Sequence, residues 1–188
     1  MKKLVVLLFP FIASSQIDNN KLQEEFIKIM NSDRSRYSFY PIQISSDATL
    51  AAKIQSDYIA STFHLEGREL VATCGHDNPN FPKSRDRVLE INPDLNPKLV
   101  VENVAGRFEI SKISEDTLAQ LFFNQWKKSP GHYTNMLDAY TYCGIYVSVK
   151  TISVKITKSQ INTNTFELET VFEEMPQYYY SAALVFIK

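Results

Sequence analysis

The C-terminal segment of residues 178–187 restricts the fold more than any other feature, because it is apolar on both of its faces. It reads Tyr-Tyr-Tyr-Ser-Ala-Ala-Leu-Val-Phe-Ile, and successive side chains of a β-strand point to opposite faces of the sheet. A strand with two apolar faces has to be covered on both sides. The segment therefore predicts a central strand, with helices over one face and other elements over the other.

Two apolar stripes with helical spacing open the chain. The first predicted helix is capped by Asn20 and ends near Asn31, and the second is capped within residues 45–47 and continues toward Gly67. Their inward stripes contain Leu22, Phe26, Ile29 and Met30 in the first helix and Leu50, Ala51, Ile54 and Tyr58 in the second. Both stripes have the spacing of helices that pack one face on a core.

A third helix is predicted to begin at Ser114 and to end at residues 129–131, where a further helix starts. Its apolar stripe contains Leu118, Leu121, Phe122 and Trp126. Ser129 stands before Pro130, as an N-cap residue commonly does before a proline at the first helical position. Because the chain has no Gly-x-Ser-x-Gly elbow, we interpret Ser129 as a cap and not as a nucleophile.

The remaining segments are predicted to be loop and strand. Residues 77–97 contain four residue-proline pairs among charges, which indicates a long irregular surface connection. A short strand at residues 99–101 then runs into Glu102. After Tyr142 the apolar alternation changes phase at residue 150, which favours a bulge or bend near Lys150.

The N-terminus predicts export of the chain. Lys2 and Lys3 precede an apolar run that ends at Ala13, and Ala-Ser-Ser supplies a cleavage site after Ser15. The run is about half of the roughly 20 apolar residues that span a bilayer, so a membrane anchor is the weaker alternative. We expect a signal peptide at residues 1–15 and one domain at residues 16–188, secreted or in a periplasmic or extracellular space, without a membrane span.

The charge balance excludes nucleic acid as the expected partner. The chain has 20 Lys and Arg against 21 Asp and Glu, and its basic residues are not concentrated along the sequence. Two cysteines, Cys74 and Cys143, are compatible with one disulfide in an oxidising compartment. Their spacing is not that of a thiolate zinc site.

Three histidines are the candidates for site chemistry. His64 lies within the second predicted helix, where a satisfied or solvent-facing side chain is the ordinary interpretation. His76 and His132 lie in segments flanked by glycine and proline. His132 falls in the first turn of a helix, whose positive end favours a neutral imidazole. A neutral imidazole is the form that binds metals or accepts protons.

Several motifs resemble the SCP-like superfamily of cysteine-rich secretory, antigen-five and pathogenesis-related proteins. The matching segments are Glu-Asn-Val-Ala-Gly at 102–106, Trp-Lys-Lys-Ser-Pro-Gly-His-Tyr-Thr-Asn-Met-Leu at 126–137, Cys-Gly-Ile at 143–145 and the strand around 180–183. Together with the early helices, they cover nearly all of the mature chain. The resemblance implies an α+β fold, a three-layer α-β-α sandwich with a central and mainly antiparallel sheet.

The resemblance also implies a cavity that can hold a divalent cation. Glu102 and His132 match the family's first glutamate and second histidine, and His76 is the best match for its first histidine. The motif residues that support this site are Asn103, Ser129, Gly131, Tyr133 and Asn135. The family's second glutamate is missing, because lysines follow the tryptophan. His76, Glu102 and His132 are thus either ligands of zinc or another divalent cation, or a hydrogen-bonded network that fixes the long loop.

Two classes of function follow from the resemblance. The favoured one is a non-catalytic exported module that uses the cavity to bind a lipid, a sterol or a cell-surface ligand. The alternative is a metal-dependent hydrolase of peptides or esters, in which the same three side chains hold the metal. The fold alone does not choose between them.

Overall fold

The computed structural model describes residues 17–66, 69–71, 75–161, 163 and 168–188. The predicted signal peptide, Gly67 and Cys74 lie outside these residues. The elements in chain order are α1 Asn19–Ser35, β1 Gln43–Ile44, α2 Ser46–Thr62, β2 His64–Glu66, β3 Glu69–Val71, α3 Ser84–Ile91, β4 Val100–Glu109, α4 Glu115–Lys127, α5 Pro130–Leu137, β5 Tyr142–Ile161 and β6 Leu168–Ile187.

The main sheet has the strand order β1-β5-β6-β4. Strand β6 is antiparallel to both β5 and β4, whereas the short β1 is parallel to β5. The central position predicted for residues 178–187 is therefore confirmed. A separate two-stranded sheet pairs β2 with β3.

Helices cover both faces of the main sheet. On one face, α1 and α4 bury Phe26 and Trp126 against strand residues such as Ile145, and the two aromatic rings meet edge to face at 5.5 Å. On the other face, α2 and α3 bury Ile59 and Val88 against β4 and β6. Each large apolar side chain buried in this way contributes about 1.5 to 3 kcal/mol. The predicted three-layer α-β-α sandwich with a mainly antiparallel sheet is confirmed.

Helix α1 differs from its predicted bounds at both ends. Asp18, and not Asn20, is the N-cap, and its side chain accepts from the first backbone amides. The helix continues to Ser35 because tertiary contacts hold its last turn. There the buried Arg34 donates to the carbonyl oxygens of Met136 at 2.7 Å and Asp138 at 2.9 Å.

Helix α2 lies unusually close to the sheet. A Cβ atom added at Gly144 would lie 2.1 Å from the backbone nitrogen of Thr49, so only glycine fits beneath this helix. The cap at Ser45 agrees with the sequence, but Leu50 is 47% exposed and its inward prediction is wrong. The small residues Ala48, Ala51 and Ala52 face the sheet instead, because a close approach excludes longer side chains.

Three further sequence predictions are corrected. Residues 84–91, expected to be irregular, form α3, because the stretch between Pro82 and Pro93 has no proline or glycine and is long enough for two turns. His64 lies in β2 and not in a helix, since α2 ends at Thr62. Strands β5 and β6 pair without a break from one end to the other, so no bulge lies at Lys150.

The apolar phase shift in β5 has another cause. Before residue 150, Ile145 and Val147 face the core of α1 and α4. Beyond it, Ile152 packs on the core of α2 and α3, on the opposite face of the sheet. The register of β5 is unchanged, but its buried face changes from the α1 and α4 side to the α2 and α3 side. The apolar positions therefore shift by one residue.

Candidate functional site

Glu102 lies at the centre of the candidate site. It projects from β4 toward the α3 side of the sheet, and its side chain is 3% exposed. Its Oε2 accepts a hydrogen bond from Nη2 of Arg87, and its Oε1 lies 3.1 Å from Nδ1 of His76. Both oxygens of the carboxylate are therefore engaged, as a buried charge requires.

Arg87 is the member of the site that the sequence did not reveal. It lies in α3 and is fully buried, and its Nη1 donates to the carbonyl oxygen of Phe81 at 3.2 Å. Its Nε has no hydrogen-bond partner among the described residues. Arg87 thus depends on Glu102 for neutralisation. The sequence signal that could have revealed Arg87 is the proline-free stretch of residues 83–92, which is long enough for a helix. In that helix Arg87 is buried together with its neighbour Val88.

His76 is held next to Glu102 by the loop that follows residue 74. Gln55 of α2 donates to the carbonyl oxygen of Gly75 at 2.8 Å and accepts from Asn78 at 3.3 Å. The hydrogen bond with Glu102 raises the pKa of His76 above its ordinary value, against the opposing effect of burial. His76 is also more than half exposed, with 57% of its side chain reaching solvent.

His132 lies in the first turn of α5, and its backbone is fixed by two asparagines. Asn103 donates to the carbonyl oxygen of His132 at 2.9 Å, and Asn135 donates to Oδ1 of Asn103 at 2.9 Å. Burial lowers the pKa of His132, and the charge of nearby His76 lowers it further. The lowered pKa of His132 agrees with the expectation from its place in the first turn of a helix. The charge of His76 acts on His132, so the two histidines influence each other.

The other motif residues support α5. Ser129 occupies the N-cap position, but its hydroxyl makes no capping hydrogen bond in the described structure, so its predicted role is only partly correct. Gly131 faces open space. Tyr133 donates its hydroxyl proton to Oδ2 of Asp33 at 2.6 Å.

Lys127 follows the helix tryptophan, in the region where the second glutamate of the family is missing. Its Nζ donates to Oδ1 of the buried Asp33 at 2.6 Å. Burial acts to raise the pKa of Asp33, but the hydrogen bonds from Lys127 and Tyr133 outweigh it and lower the pKa. Lys127 is thus part of a separate network that ties α1 to α4 and α5.

The role of His76, Glu102 and His132 as metal ligands stays a prediction. No group of three or more His, Cys, Asp or Glu side chains within the described ranges is placed to hold a metal ion. Both carboxylate oxygens of Glu102 are already engaged, Oε2 by Arg87 and Oε1 by His76. A cation and a guanidinium cannot both lie against the same carboxylate oxygen without repulsion.

Cys143 lies on the other side of the sheet from this site. Its thiol is free and fully buried in the core of α1 and α4, and burial raises its pKa strongly. Gly75, the first described residue after Cys74, is bound to α2 on the opposite face. The predicted disulfide between Cys74 and Cys143 is therefore not confirmed, and Cys74 itself lies outside the described residues.

An open groove of about 410 Å³ adjoins the site. It runs between the start of α3 and the segment that enters β4. The groove is lined by His76, Pro82, Lys83, Ser84, Arg85, Lys98, Leu99, Val100 and Glu102. Its wall carries three cationic side chains, Lys83, Arg85 and Lys98, beside the apolar groups of Pro82, Leu99 and Val100.

Comparison with known proteins agrees with this architecture. Residues 27–155 match the family model of CAP, the cysteine-rich secretory protein family. A search of curated proteins finds no match. None of the helices within the described ranges is both long and apolar enough to cross a membrane.

Two solved structures show the same fold. The first is an extracellular SCP-domain protein of Bacillus anthracis, with a TM-score of 0.52 and 18% identity over 86% of this chain. The second is an outer surface protein of Borrelia burgdorferi, with a TM-score of 0.55 and 14% identity over 92% of this chain. The match spans 40% of the Bacillus protein and 96% of the Borrelia protein.

Proposed function

Because the chain belongs to the cysteine-rich secretory protein (CAP) family, we propose that it acts outside the cell as a binding module that uses the groove beside His76 and Glu102. The observation that carries this proposal is the buried ion pair of Arg87 and Glu102. Because Arg87 and His76 together engage both oxygens of the carboxylate, a ligand is bound by the groove wall.

The free-energy cost of breaking the Arg87–Glu102 ion pair favours a binding module over the alternative, a metal-dependent hydrolase. A cation at Oε2 of Glu102 would have to displace Arg87 and leave its guanidinium buried without a counter-ion, and a cation at Oε1 would have to displace His76. Removing one partner of a buried ion pair typically costs about 3 to 5 kcal/mol. Two neighbouring histidines, one of them largely exposed, would have to offset that cost in addition to binding the metal.

The character of the groove also bears on its ligand. A sterol or lipid tail requires a predominantly apolar cavity, whereas this wall contains Lys83, Arg85 and Lys98. The groove is better suited to a polar ligand at the cell surface. An extracellular site of action is supported by the predicted signal peptide at residues 1–15, and the two structural neighbours are an extracellular protein and an outer surface protein.

Turnover assays test this proposal. The chain from Gln16 would be incubated with panels of peptides and esters, with and without added zinc, beside His132→Ala and His64→Ala. A binding module gives no turnover in any sample. Turnover that is lost in folded His132→Ala and kept in His64→Ala would establish the hydrolase instead.

A further inference from the structure

Three cationic side chains line the groove without a counter-ion. Lys83, Arg85 and Lys98 all contribute to its wall, and none of them forms an ion pair with a described carboxylate. Cations that converge on one concave surface create a positive potential, which the low-dielectric wall focuses into the cleft. The groove thus attracts anions, although the chain as a whole has a formal charge of −1.

The acids near the groove do not cancel this potential. Among the described residues that line the groove, Glu102 is the only carboxylate, and it is neutralised by the buried Arg87. Asp86 accepts from the backbone nitrogen of Lys83 at 3.1 Å, which caps the start of α3. The three positive charges on the groove wall are therefore only partly offset, by the capping carboxylate of Asp86.

Both walls of the groove are fixed in position. Arg85 uses Nη1 to donate to the carbonyl oxygen of Pro97 at 2.8 Å, which ties the start of α3 to the opposite wall. The backbone of Lys98 is held in turn, because its nitrogen donates to the carbonyl oxygen of Lys188 at 2.8 Å. The cationic side chains therefore start from a pre-organised frame, which lowers the entropic cost of binding.

The number and kind of these charges indicate the ligand. A phosphate group carries up to two negative charges and several acceptor oxygens, and it matches arginine and lysine donors that approach from different sides. The first-turn amides of α3, at Ser84 and Arg85, have no acceptor within the helix and add donors at the same wall. A ligand with a single carboxylate has fewer charges and acceptor oxygens than a phosphate, so it would leave some of these donors without an acceptor.

We propose that the groove binds a phosphate group through Lys83, Arg85 and Lys98. This inference rests on the proposed function, since it names the ligand class of the same binding module. The phosphate belongs either to a soluble phosphate ester or to a phospholipid headgroup at a membrane surface. Both sources present the same chemistry to the groove.

Calorimetry with glycerol 3-phosphate on the chain from Gln16 tests the inference. We expect saturable binding that weakens about tenfold in Lys83→Gln and in Lys98→Gln, because each variant removes one charge-assisted hydrogen bond. The matched control is Lys28→Gln in α1, which removes the same charge away from the groove and keeps wild-type affinity. All three positions are exposed, so folding is retained and can be checked by circular dichroism.

Sedimentation with vesicles distinguishes the two sources. Phosphatidylcholine vesicles with phosphatidylglycerol are compared with phosphatidylcholine vesicles alone. Groove-dependent binding to the anionic vesicles indicates a headgroup ligand, and binding to glycerol 3-phosphate alone indicates a soluble one. The inference is overturned if neither probe binds the folded wild type, or if Lys28→Gln weakens binding as much as Lys98→Gln. The proposed function as a binding module is contradicted by a different result, namely turnover that depends on His132.

Discussion

Arg87 of α3 and Glu102 of β4 form an ion pair inside the protein, with the arginine side chain fully buried and the carboxylate 3% exposed. The pair joins a helix to the edge strand β4 and faces the groove through His76. A site that resembles a metal cavity in sequence thus has a protein cation against its carboxylate.

Replacement of one partner of this pair is expected to be strongly destabilising. Arg87→Met leaves the carboxylate of Glu102 buried with only His76 as a partner, and we expect a loss of about 3 to 5 kcal/mol in the free energy of unfolding. The double variant Arg87→Met with Glu102→Leu should lose less than Arg87→Met alone, because no buried charge remains. Urea unfolding measures both values. A single-variant loss below about 1 kcal/mol would show that the pair is not buried as described.

Opposite pKa shifts at the two histidines predict a stability maximum near pH 6.5. The pKa of His76 is raised in the folded state, so its contribution is complete below about pH 6.5 and is lost as the pH rises through the folded value. The pKa of His132 is lowered, so its contribution is present above about pH 6.5 and is lost as the pH falls toward the folded value. The stability of the folded protein should therefore decline both above and below about pH 6.5.

Thermal unfolding between about pH 5 and about pH 8 checks this prediction through variants. His76→Gln should remove the alkaline decline, and His132→Gln should remove the acid decline. The third histidine supplies the control, because His64→Gln lies outside the site and should leave the profile unchanged. Identical profiles in wild type and His76→Gln would contradict the hydrogen bond with Glu102.

The close approach of α2 to the sheet predicts a sharp contrast between two glycines. Gly144→Ala places a methyl group against the backbone of Thr49 and should cost about 1 to 3 kcal/mol, as overpacking commonly does. Gly131→Ala adds the same methyl group in open space at the start of α5 and should be neutral or slightly stabilising. Denaturant unfolding compares the two. Equal effects would mean that α2 does not lie on Gly144.

Cys143 is predicted to be protected from thiol reagents in the native protein. Burial removes both access and thiolate, so modification should occur only after unfolding. Mass spectrometry after alkylation without reductant, in native buffer and in denaturant, measures this. A Cys143 that stays unmodified in denaturant would show that it is bonded to Cys74, contrary to the free thiol seen in the core.

The sequence predicted the layers of the fold better than the contents of the site. Residues 178–187 and the helical stripes reveal the central strand and its covering helices, because burial leaves a periodic pattern. Arg87 leaves no such pattern, since its role depends on α3 folding across Glu102. The same holds for Lys127, which lies where the family's second glutamate is missing and binds Asp33, a residue distant in the chain.

Zinc titration by calorimetry is the most direct test of a cavity organised around the Arg87–Glu102 pair. The chain from Gln16 would be titrated beside His76→Ala, His132→Ala and Arg87→Gln, with circular dichroism to confirm folding. We expect no stoichiometric zinc binding in the wild type, because Arg87 holds the carboxylate that the metal would need. Stoichiometric binding in the wild type that is lost in both histidine variants would contradict this and place a metal centre in the cavity.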